Sequence, residues 1–134
     1  MGRTIVGIVV GLVVAWLAMS ACEFASLFLH RPPAGMDLRD PQALAAHIAA
    51  APTSAMLVVV VGWMLAALLG GWVAARIARH RRVAALVIGA LVVLGVIANS
   101  MIIPHPLWMT IAGLVLPLPL AWFAARLATP RPPR

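Results

Sequence analysis

Residues 55–76 read AMLVVVVGWMLAALLGGWVAAR: no charge from Ala55 to Ala75, then Arg76. At 1.5 Å of rise per residue, about 20 helical residues cross the ~30 Å of a bilayer's hydrocarbon. This stretch therefore reads as a transmembrane helix. Gly62, Ala66, Gly70 and Ala74 recur every fourth residue and form a small-residue ridge along it. Such ridges let helix backbones approach closely, which holds helices together in lipid, where no hydrophobic effect acts between them. Trp72 sits four residues before Arg76, an arrangement that suits the membrane boundary, with the arginine reaching outward.

Three more stretches are built alike. Thr4 to Cys22 lies between Arg3 and Glu23, and its apolar character runs on to Leu29; Val83 to Ile103 follows Arg82; Pro106 to Ala125 precedes Arg126. The whole chain has 134 residues, 64% hydrophobic, with ten arginines, three acids and no lysine. Those charges are too few to cover a water-exposed surface. The expectation is an all-α membrane protein, one transmembrane domain over 1–134, with four transmembrane helices arranged as two helical hairpins. The spans fall at about 4–29, 54–78, 83–103 and 106–127, with an outer segment over 30–53 and a disordered tail over 129–134. The net charge of +7 does not indicate nucleic acid, because the arginines cluster at the ends of the spans.

Arg3, Arg76, Arg79, Arg81, Arg82, Arg126, Arg131 and Arg134 fall on one side, Arg31 and Arg39 on the other. This bias predicts cytoplasmic termini in a bacterial inner membrane. Arginine without lysine, with abundant Ala, Gly and Pro, points to a GC-rich bacterial genome. Trp72 and Trp122, each four residues before Arg76 and Arg126, suit the inner boundary and Trp108 the outer one; Trp16 and Trp63 are expected to pack between helices. In the outer segment Asp40-Pro41 reads as an N-cap with proline at the first helical position, followed by a short interfacial helix over 42–51 that Pro52 ends. Pro117 and Pro119 predict a kink in the fourth span.

Trp72-Val73-Ala74-Ala75-Arg76-Ile77-Ala78 matches Trp122-Phe123-Ala124-Ala125-Arg126-Leu127-Ala128. Either the two hairpins form a parallel internal repeat, or two Ala-rich helix ends coincide by chance. Gly7, Gly11 and Ala15 make a second ridge. The ridges serve contacts within the chain or, since four helices enclose little interior, the interface of a homo-oligomer, a dimer or higher.

Glu23 is the one acid in or at the edge of a span, and there it is either an intramembrane functional carboxylate or an interfacial, solvated one. His30 follows seven residues later on the same helical face; His105, His47, Asp37 and Asp40 also map to the outer side, and Asn99 ends the third span nearby. Glu23, His30, His105 and Asn99 form the candidate polar or ion site. Asn99 with Ser100 reads more simply as a hydrogen bond between helices. No ligand pair has metal spacing, so neither metal nor cofactor is expected. Met19-Ser20-Ala21-Cys22 approaches a lipoprotein cleavage box, with Met in place of the usual leucine and an apolar continuation. No phosphate loop, nucleophile elbow or catalytic carboxylate pair is present, so no enzyme is expected.

The arrangement of Glu23, His30-x-Pro-Pro, Asp40-Pro41-x-Ala-Leu, Gly62-Trp63 and Ile103-Pro104-His105-Pro106-Leu107-Trp108 resembles that of a family of small bacterial four-helix membrane proteins. The resemblance covers nearly the whole chain. It implies the fold and an inner-membrane location, and no activity. Three functions are compatible with the sequence: a small transporter or channel using Glu23, an accessory or scaffold subunit binding another membrane protein through its ridges, or a lipid-binding protein with a lateral groove.

Overall fold

The computed structural model describes residues 1–128; the tail read as disordered, 129–134, lies outside them. The order is α1 (Gly2–Leu29), α2 (Pro41–Ala49), α3 (Thr53–Leu65), a π turn (Ala66–Gly70), α4 (Gly71–Ile77), α5 (Arg81–Ile102), α6 (Leu107–Val115) and α7 (Pro117–Leu127). The protein is all-α. Four continuous runs are long and apolar enough to cross a membrane: α1, α3 through α4, α5, and α6 through α7. Each of these helical runs begins and ends within two residues of the stretch expected from the sequence. Asp40 caps α2 by accepting from the Gln42 N–H at 2.9 Å. The fourth span breaks at Leu116, because Pro117 has no N–H to give the carbonyl four residues back.

α1 packs along α3, the π turn and α4; α5 packs on α4 and α7. A Cβ added at Gly11 would lie 2.6 Å from the Gly70 carbonyl oxygen, and one at Gly70 would lie 2.6 Å from the Gly11 oxygen. Gly7 abuts the backbone of Ala74 and Ala78, and Gly62 abuts the Cys22 side chain. The two small-residue ridges thus face each other within one chain, and neither is left over for a second copy. The core they open onto is mostly alanine, and its largest fully buried side chains are Trp63, Ile88, Val96 and Pro117. Among the described residues it contains no buried polar side chain.

The π turn is not visible in the hydrophobic pattern, yet the ridge needs it. Eight α-helical residues turn through about 800°, which would leave Gly62 and Gly70 about 80° apart around the helix. A π turn takes up about one extra residue and returns both glycines to the α1 side.

Both hairpins begin and end on one side of the bundle. The Thr4 hydroxyl at the start of α1 accepts from the His80 N–H ahead of α5 at 3.4 Å, and Arg81 donates to the carbonyl of Ala128 after α7 at 3.3 Å. The two matching segments share a local contact: Arg76 lies over Trp72 at 5.0 Å and Arg126 over Trp122 at 3.8 Å. One expectation is corrected. Trp63 packs between helices at 1% exposure, but Trp16 is 64% exposed. The neighbouring Ala15 takes the tight contact with Gly70, which turns the adjacent position outward.

Gly11→Val forces a side chain against the facing backbone, and we expect it to destabilise the fold by about 1–3 kcal/mol, the usual range for overpacking. Gly95→Ala meets nothing within 4 Å and is expected to be neutral or slightly stabilising. Thermal unfolding in detergent compares the two.

Candidate functional site

The close contact of α1 with the second span ends at Cys22 and Gly62. Beyond it a pocket of about 580 Å³ opens. Glu23 and Leu27 of α1 and His30 just after it form one wall, and Met56 and Val59 of α3 another. Asn99 of α5, His105 of the following loop and Met109 of α6 close the far side. His47 and Ile48 of α2 lie across it.

Local structure places several of these polar groups, while the buried Nδ1 of His105 has no hydrogen-bond partner among the described residues. α1 is 28 residues long, about 42 Å, so it outlasts the hydrocarbon. Glu23 comes 20 residues after Arg3, about 30 Å along the axis. An untilted span entering at Arg3 would reach the far hydrocarbon boundary near Glu23. The Ser26 hydroxyl donates to the Glu23 carbonyl oxygen at 2.7 Å. Nε2–H of His30 donates to the His47 carbonyl at 2.9 Å, and the two imidazoles stack at 4.0 Å and 14°. These contacts tie α2 to the end of α1. Gly35, with φ of +81°, turns the chain in between, a conformation that glycine adopts without strain. His105 meets the edge of Trp63 at 5.8 Å.

All four sequence candidates, Glu23, His30, Asn99 and His105, line this one pocket. Ser20, Ser26 and His47 join them. His47 reaches the pocket because α2 folds back over it, tied to His30. Asp37 and Asp40 stay outside, occupied by the backbone N–H groups of Arg39 and Gln42 at 2.9 Å each. Glu23 is thus the one acid lining the pocket, and no arginine lines it. Among the described residues, no three His, Cys, Asp or Glu side chains are placed to hold a metal ion. Cys22 is a free, half-buried thiol packed on Gly62.

The other predicted positions serve elsewhere. Gly7, Gly11, Ala15, Gly62, Ala66, Gly70 and Ala74 are all buried. Trp108 is 41% exposed near the pocket end, opposite the paired Trp72–Arg76 and Trp122–Arg126. Inward of the pocket the centre of the bundle is closed by buried apolar groups, Val60, Trp63, Val96 and Met109 among them.

Comparison with protein families, with curated proteins and with solved structures finds no match. The resemblance carried by the outer-loop motifs therefore rests on those residues alone.

Burial lowers the pKa of His105 below the usual 6.5, while the backbone at Ile103 acts weakly in the opposite sense. Burial, and then the neighbouring His30, lower that of His47. A depressed folded-state pKa means that the fold favours the neutral ring. That stability is present above pH 6.5 and is lost as pH falls through the folded values. We expect unfolding temperature to be flat above about pH 6.5 and to decline below it, and His47→Gln with His105→Gln to flatten the decline. Thermal melts across pH 4.5–7.5 check this.

Proposed function

We propose that the protein is a non-catalytic, membrane-embedded binder of an amphiphile. The apolar part of the ligand lies against Leu27, Met56, Val59 and Met109, and its head, an amine or other cationic donor, meets Glu23. The observation that carries this reading is the convergence of apolar walls on a single carboxyl group in one pocket. The volume falls within the range of small-molecule sites, which are mostly apolar with a few placed polar groups. A carboxylate kept at the membrane boundary of a chain with only three acids also supports a ligand of opposite charge.

A transporter or channel needs a polar route through the bundle. The apolar groups closing its centre favour binding over conduction in a single chain. The second reading is docking on another membrane protein or on a second copy. It rests on α1, the least covered span, whose Ile5, Val9 and Trp16 face outward. The arginine asymmetry supports an orientation with both ends cytoplasmic in a bacterial inner membrane, so that the pocket faces the opposite side.

In nanodiscs, Glu23→Gln is expected to weaken binding of a long-chain primary amine roughly tenfold or more, the value of a charge-assisted hydrogen bond. Met56→Trp, which fills the pocket, is expected to abolish binding while leaving the melting temperature near that of the parent. Equal affinity in parent and Glu23→Gln rejects the proposed head-group contact.

A further inference from the structure

The opposite end of the molecule carries a second recess, of about 480 Å³, lined by Arg3, Arg76, Arg79, Arg81 and Ala78. The arginines come from three parts of the chain: the start of α1, the end of α4 with the turn after it, and the start of α5. Their convergence is built. The contact of Thr4 with His80 brings the first turn of α1 against that turn. Gly7, packed on the backbone of Ala74 and Ala78, lets α1 approach closely enough for Arg3 to share the recess. Arg76 lies over the Trp72 ring at 5.0 Å, a cation–π contact rather than a hydrogen bond to an acceptor. Arg81 spends one N–H on the Ala128 carbonyl and keeps the rest.

No acid balances this cluster, since the three in the chain, Glu23, Asp37 and Asp40, belong to the pocket end and the loop beyond it. Four guanidiniums around one hollow, beside a boundary tryptophan, match the chemistry of a phosphate: planar forks that donate in pairs to anionic oxygens. The recess lies at the ends of the spans, where lipid head groups are. We propose that it is a binding site for the phosphate of an anionic phospholipid. The lipid's glycerol end would rest near Trp72, and its chains would follow the outward apolar face of α1. Arg82 and Arg126 are as basic and lie at the same end, but do not line the recess, so they separate a site from a merely positive surface.

The test is native mass spectrometry of the full chain released from nanodiscs, with phosphatidylglycerol competing against phosphatidylcholine. The parent is expected to retain phosphatidylglycerol in preference. Arg3→Gln and Arg79→Gln are each expected to lower that retention about fivefold, the share of one arginine at an anionic surface. Arg82→Gln and Arg126→Gln are expected to leave it unchanged. Equal loss for all four variants would mean diffuse attraction and would overturn the site, as would no lipid preference in the parent, a readout that does not depend on any variant folding. Inorganic phosphate is the third arm. Displacement of the lipid by millimolar phosphate would overturn the assignment to a lipid, and its failure to compete would support it.

Discussion

The structure depends on one contact between backbones, Gly11 against Gly70. Each glycine occupies space in which a side chain of the other would sit 2.6 Å from a carbonyl oxygen. In lipid, apolar side chains gain nothing by leaving their surroundings for one another, so helices associate by packing and by whatever polar contacts they can make. Glycine and alanine make the packing term large by removing what keeps backbones apart. The rest of the first hairpin follows from this contact. The π turn brings Gly62 and Gly70 to one side, and Ala15 and Ala74 continue the seam. Trp63 is buried between the helices, lying against Gly113 of α6.

The seam also determines where the protein is open. It runs from Gly7 to Cys22 on α1 and stops there. Beyond that point α1 continues for two turns to Leu29, and Glu23, Leu27 and the capping His30 line the pocket. The pocket is what remains between helices that no longer fit tightly, and the short helix α2 crosses it because His47 stacks on His30. The result is polar chemistry of opposite kinds at the two ends, a carboxylate with three histidines at one and converging guanidiniums at the other. Between them lies a core with no buried polar side chain among the described residues.

Much of this was legible in the sequence, for physical reasons. The spans are set by length and the absence of charge, α2 by Asp40-Pro41, and the break in the fourth span by Pro117. The convergence of Glu23, His30, Asn99 and His105 followed from all four mapping to one end of a small bundle. Other features needed the fold. That the two ridges face each other is a fact about pairing, which spacing within one helix does not contain. The outward turn of Trp16 follows from that pairing, since Ala15 holds the contact beside it. The π turn leaves no trace in a run that is apolar on every face. His47 entered the pocket because α2 folds back over it, through contacts 17 residues apart in the chain.

The most direct test of the account is where an amphiphile lies. A long-chain amine bearing a photoreactive group at mid-chain, added to the protein in bilayers and activated by light, labels whatever surrounds its tail. The account predicts labels on Leu27, Met56 and Val59, suppressed by excess unlabelled amine. Unsuppressed labelling spread over the outward face of α1, around Val9 and Trp16, would contradict it and leave the pocket without its proposed ligand.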